Sequence, residues 1–189
     1  FLDEIGSTYI AKENLAFLTG PSFAQEVLKE LPTALCVSSC NDELASTFAS
    51  FLDVDFIKTY TSSDVKGAEI AGAYKNVIAI ASGICGALGL GHNAQASLTS
   101  RGLVEISRFG MHFGARAETF LDISGAGDLF LTAGSSMSRN YTLGSLLAKG
   151  LSLPDALEQI NQVVEGVETT YAINSIAKEL DIYAPIANE

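Results

Sequence analysis

The chain has 189 residues, 48% of them hydrophobic, and a formal net charge of -11. That length buries a substantial core, in one domain or two small ones. The acidic balance, with a pI near 4.5, disfavours nonspecific binding to nucleic acid or to an anionic membrane, so a phosphate ligand must be held by a local basic site. The three cysteines, Cys36, Cys40 and Cys85, are odd in number and form no CxxC pair. This argues against a disulfide framework or a zinc site and for a reducing compartment. No secretory signal is visible, and the chain opens on Phe1 mid-pattern, as a piece of a longer protein does.

Residues 1–13 are expected to be the end of a helix or an irregular lead-in. The apolar run 15–18 has the form of a short buried strand. Gly20-Pro21-Ser22 breaks it, and residues 23–30 have helical spacing. TALCVSS (33–39) is a second strand, and Asn41-Asp42 suits the start of a helix over 43–52. FIKTYT (56–61) is a third strand. Three strands alternating with two helices indicate an α/β layer with a parallel or mixed sheet. Beyond Thr61 only helical signals follow: a long helix capped by Ser62-Ser63-Asp64, then 94–113, 117–123, 140–149 ended by Gly150, 154–160 and 169–180. Residues 125–127 form a glycine-rich loop between them. The expected organisation is residues 1–62 as the C-terminal portion of an α/β domain and residues 63–189 as an all-helical domain.

The most informative stretch is EIAGAYKNVIAIASGICGALGLG (69–91). After Glu69 its only charge is Lys75. Apolar residues cover nearly every side, so the helix should be buried. Its length suits a membrane span, but the Lys75-Asn76 pair, four glycines in its second half and the lack of a second such segment argue against one. A buried lysine is costly unless it is paired or loses its proton, and burial lowers its pKa. Two readings of Lys75 stand: a lysine that snorkels from a core helix, or a catalytic lysine.

Several shorter motifs could carry chemistry. GPSFAQE (20–26) lies where a strand ends and a helix begins, a place where α/β folds bind ligands and helix N–H groups meet anions; an ordinary turn has the same pattern. GAGDLFLT (125–132) puts Asp128 in a glycine-rich loop that lacks the full dinucleotide fingerprint. Asp128 can tune a buried lysine or simply cap a helix. SSMSRNYTLG (135–144) places Ser138, Arg139 and Asn140 ahead of a helix, which suits phosphate, although a polar loop with a surface arginine looks alike. Arg101 and Glu105 in RGLVE stand at i,i+4, with an intrahelical ion pair as the default expectation. His92 and His112 have no clustered partners and are not expected to bind metal. VEGVETT (164–170) carries Glu165 and Glu168, one of which could accept ribose hydroxyls; a solvated helix start is the plain alternative.

Taken together and in order, GPSFAQE, EIAGAYKNVIAI, RGLVE, GAGDLFLT, SRNYTLG and VEGVETT resemble the NAD(P)-dependent glycerol-3-phosphate dehydrogenases of bacterial and plastid type. The resemblance covers essentially the whole chain. It implies the end of a Rossmann-type sheet followed by an all-α domain like the C-terminal domain of 6-phosphogluconate dehydrogenase, with the GxGxxG loop and a further substrate lysine upstream of Phe1. It also implies that the family's C-terminus lies beyond Glu189. By this resemblance Lys75 is the general acid/base and Asp128 assists it. Gly20, Ser22, Lys75, Asp128, Ser138, Arg139 and Asn140 bind substrate; Ala24, Arg139, Val163 and Glu165 contact the cofactor, NAD or NADP, with NADPH preferred. The implied reaction is reduction of dihydroxyacetone phosphate to sn-glycerol 3-phosphate, feeding phospholipid synthesis, by a cytoplasmic (or plastid) homodimer. Two alternatives remain: a related two-domain hydroxyacid reductase, and a fragment that acts only as an assembly module.

Overall fold

The computed structural model describes residues 1–188. In chain order the elements are α1 (Leu2–Gly6), a 3-10 turn (Lys12–Asn14), β1 (Phe17–Thr19), α2 (Ala24–Val27), β2 (Thr33–Ser38), α3 (Asp42–Leu52), β3 (Ile57–Ser62) and α4 (Val65–Ala87). They continue with α5 (Gly91–His112), α6 (Ala117–Leu121), a π-helical turn (Ile123–Gly127), α7 (Asp128–Ala133), α8 (Arg139–Ala148), α9 (Leu153–Ile160), α10 (Gly166–Glu179) and α11 (Pro185–Asn188). The chain forms two compact units. One is Phe1–Gly72 with Gly110–Asp128; the other is Ala73–Phe109 with the described residues from Leu129 onward.

The first unit holds a three-stranded sheet in the order β1-β2-β3. The sheet is mixed: β1 runs antiparallel to β2, with Thr19 opposite Cys36, and β2 runs parallel to β3, with Ser38 opposite Ser62. The parallel pair needs a crossover, and α3 supplies it. Asn41 starts α3, its side-chain oxygen accepting from the N–H groups of Glu43 (3.1 Å) and Leu44 (3.2 Å). Ala45 and Ala49 of α3 are buried with Val37, and Ala16 and Leu52 pack against them. Asp64 starts α4: Oδ1 accepts from the Gly67 N–H at 3.0 Å. Its other oxygen accepts from the Arg116 N–H (2.8 Å) and the Thr119 hydroxyl (2.6 Å). One buried carboxylate thus caps a helix and ties the α5–α6 connection to it.

Some expected boundaries move. The helix over 23–30 shortens to α2, and Glu30 takes a left-handed φ of 56°. The glycine-rich loop at 125–127 is part of the π-helical turn; α7 is the helix that Asp128 could start, and α11 was not anticipated. Short segments carry too few periodic positions to declare a helix, so tertiary contacts decide them. The long helix is as expected. Among the described residues α4 alone has the length and composition of a membrane span, yet Ile70, Ala71, Tyr74, Val77, Ile78, Ala79 and Cys85 along it are buried in the chain's own core.

In the second unit Leu143, Leu146, Ala156 and Val164 form a core against which Ile80, Leu153, Leu157 and Val167 pack. The backbones of α4 and α8 nearly touch. A β-carbon on Gly144 would overlap the Ile80 carbonyl, and one on Gly83 would overlap the Tyr141 carbonyl. The Ser145 hydroxyl donates to the Gly83 carbonyl (3.2 Å), so the contact is bonded as well as close. Because a methyl at either glycine meets backbone, relief requires moving a helix. Gly144→Ala is expected to cost about 1–3 kcal/mol, read as a lower denaturant midpoint; an unchanged midpoint would show that the helices separate freely.

Candidate functional site

In the second unit three helix segments bring most of the candidate residues together. Lys75 lies in the middle of α4 and is half-buried. Asn76 follows it. The Nδ2 of Asn140, the second residue of α8, donates to Asn76 Oδ1 at 2.9 Å. Asn140 Oδ1 in turn accepts from the Gly166 N–H, at the first residue of α10, at 2.9 Å. One buried amide therefore joins the turn bearing Lys75 to the starts of α8 and α10. Gly166 permits this approach, because a β-carbon there would overlap Asn140 Oδ1 and sit 2.7 Å from Ile80 Cδ1.

Around that bridge the other candidates are arranged by the helix starts. Ser138 is the N-cap of α8, its hydroxyl accepting from the Tyr141 N–H at 3.3 Å. Arg139 follows, and its guanidinium pairs with Glu165, the residue before α10, at 2.8 Å. Both side chains remain substantially open to solvent, at 40% and 49%. Val163, two residues before Glu165, is exposed. The cluster thus presents a cation backed by two helix N-termini, an arrangement that favours an anion.

The first unit groups Gly20, Ser22 and Asp128. The Thr19 hydroxyl, at the end of β1, shares a 2.8 Å hydrogen bond with the Ser124 hydroxyl in the π-helical turn. Gly20 takes a φ of +126°, and a β-carbon there would lie 3.1 Å from Ile123 and 3.0 Å from the Ala34 carbonyl. A β-carbon on Gly127 would lie 3.6 Å from Pro21. The GPS and GAGD segments are thus packed on one another. Ser22 is exposed and donates to the Gly20 carbonyl (3.2 Å). Ala24, at the start of α2, is also exposed, whereas Asp128 is buried.

The structure corrects one expectation. Glu105 is not shown paired with Arg101. It is 2% exposed and accepts from the Tyr74 hydroxyl (2.8 Å) and from the N–H groups of Ile186 (3.0 Å) and Ala187 (3.0 Å). A helix places i and i+4 on one face, but which way that face points is a tertiary matter. Asn76 and Asp64 also emerge as bridging residues. The only sequence signal for them was a polar residue inside or at the edge of an apolar helix.

Two family descriptions match the chain. "NAD-dependent glycerol-3-phosphate dehydrogenase C-terminus" matches residues 64–189, and the corresponding N-terminus matches residues 1–45. The chain belongs to the NAD-dependent glycerol-3-phosphate dehydrogenase family. A glycerol-3-phosphate dehydrogenase [NAD(P)+] of Sulfurimonas denitrificans is 60% identical over the whole chain, which spans 64% of that relative's length. One of the same description from Campylobacter lari is 59% identical, with 63% of its length covered. The crystal structure of the glycerol-3-phosphate dehydrogenase of Coxiella burnetii superposes on 91% of the chain with a TM-score of 0.88 and 37% identity; the chain covers 53% of it. The chain therefore spans a little under two thirds of these curated dehydrogenases. In this family member the expected order holds, a small sheet followed by a mostly helical part.

Asn140→Ala removes both halves of the amide bridge and leaves the Gly166 N–H and the Asn76 oxygen without that partner. It should destabilise the second unit by about 1–3 kcal/mol, measured by urea unfolding. A loss below about 0.5 kcal/mol, the range of ordinary surface substitutions, would show that the bridge is not structural.

Proposed function

We propose that the protein to which this chain belongs reduces dihydroxyacetone phosphate to sn-glycerol 3-phosphate with NAD(P)H. The observation that carries this reading is the Asn76–Asn140–Gly166 bridge. It sets Lys75 and the Ser138-Arg139-Asn140 turn in one rigid frame, as a phosphate-bearing carbonyl substrate requires. Residues 1–62 are the end of the dinucleotide-binding domain in this reading, and residues 63–189 the helical substrate domain.

Each residue has a role that its chemistry suits. Arg139 grips the phosphate, with Ser138 beside it, and Asn140, whose buried amide is engaged by Asn76 and Gly166, holds that turn in place. Gly20 and Ser22, on the turn after β1, suit contacts with substrate. Lys75, as an ammonium, polarises the C2 carbonyl and donates a proton to the forming alkoxide. Asp128 suits the substrate hydroxyls. A bound nicotinamide supplies the hydride. Ala24, Val163, Arg139 and Glu165 suit that cofactor: a small exposed residue, an exposed apolar surface, a cation, and a carboxylate able to accept ribose hydroxyls. Binding energy from the phosphate, remote from C2, positions the reacting carbonyl. The same reading carries a cytoplasmic or plastid homodimer.

In the full-length enzyme Lys75→Ala is expected to fold and to lose at least about 100-fold in kcat, the usual scale for a general acid. Arg139→Ala is expected mainly to raise KM for dihydroxyacetone phosphate. Near-normal kcat in Lys75→Ala would sink the assignment. A panel of carbonyl substrates with and without phosphate separates this reading from a hydroxyacid reductase, which would not depend on Arg139.

A further inference from the structure

The buried carboxylate of Glu105 has no part in the reaction as described, yet it lies one residue away from it. Tyr74 directly precedes Lys75 on α4 and is fully buried. Its hydroxyl donates to Glu105 Oε1 at 2.8 Å. Phe109, one turn beyond Glu105 on α5, meets the Tyr74 ring edge-on with centroids 5.3 Å apart. Burial and the facing carboxylate push the Tyr74 phenol up, so it stays a donor. The backbone N–H groups of Ile186 and Ala187 complete the set around Glu105.

On the other side of Lys75, Asn76 is held by Asn140. Successive residues on a helix differ by a fixed rotation, so pinning 74 and 76 fixes the direction in which the side chain at 75 leaves the helix. A carboxylate buried among apolar residues is expensive unless every oxygen is hydrogen-bonded. Three donors from two segments, α4 and α11, meet that need and make the joint stiff.

We propose that Glu105 is a positioning residue for Lys75, acting through the Tyr74 hydroxyl. The proposal rests on the reading of Lys75 as the proton donor. Tyr74 and Glu105 hold the azimuth of α4 at the reacting centre, and Glu105 also joins α4 to the start of α11.

The test uses the full-length enzyme with dihydroxyacetone phosphate and NADPH. Tyr74→Phe keeps the ring and its contact with Phe109 and removes only the hydroxyl. It is expected to lower kcat on the order of tenfold, since small misplacements at a reacting centre are costly, with KM changed less than about twofold. Glu105→Gln keeps an oxygen for Tyr74 but turns an amide N–H towards that of Ile186; it should lower kcat similarly. Thermal unfolding and active-site titration correct both for folded fraction. The double variant should fall by less than the product of the two single losses, because both changes loosen the same joint at Glu105. A corrected kcat within twofold of wild type in Tyr74→Phe, or additive losses in the double variant, would overturn the proposal. Lys75→Ala run in parallel keeps the two readings apart: if it is inactive while Tyr74→Phe is normal, only the positioning role fails.

Discussion

Helix α4 is apolar on nearly every side, and its burial favours a fixed partner for the polar groups on it, although one oxygen of Glu69 stays buried without a hydrogen bond. An unsatisfied buried polar group costs about 1–3 kcal/mol, so these partners are not optional. Asp64 caps the helix start and holds Arg116 and Thr119. The Tyr74 hydroxyl has Glu105, and Asn76 has Asn140. The Ser82 hydroxyl donates to the Ala133 carbonyl at 2.8 Å. Each partner comes from a different part of the chain, so one buried helix orders segments far apart in sequence.

The glycines of α4 and α8 serve the same end by a steric route. Gly83 and Gly144 let two backbones approach until an added methyl would meet a carbonyl. Close approach leaves little freedom in the register of the two helices. The Ser138-Arg139-Asn140 turn at the start of α8 is therefore fixed relative to Lys75. The Asn140 amide adds α10 to the frame through Gly166. Arg139 and Glu165 stay exposed and paired at its edge. The pair forms partly in water, and such pairs are worth little, so exchanging one partner costs little.

Much of this was legible in the residues. The alternation of short apolar runs with helical spacing identified the α/β part, and the run from Glu69 identified the buried helix. Asn41 and Gly150 marked helix ends where they were expected, Gly150 with a φ of +91°. The six motifs in order identified the family. Less legible were the elements that depend on neighbours. The segment 125–127 forms part of a π-helical turn packed on Pro21 rather than a free loop, and α7 begins at Asp128, where a cap was only one of two readings. Residues 23–30 have helical spacing but keep one turn, because Glu30 reverses the backbone.

Glu105 shows where a sequence stops being sufficient. Its spacing from Arg101 satisfies the rule for an exposed ion pair, and nothing local distinguishes that case from a buried acceptor. Composition and periodicity determined the fold class, the buried helix and the candidate chemistry of Lys75, because these follow from local pattern and residue type. The partners of Tyr74, Asn76, Asn140 and Glu105 were decided only in the folded chain. They join positions 26 to 82 residues apart, and packing alone sets which donor meets which acceptor.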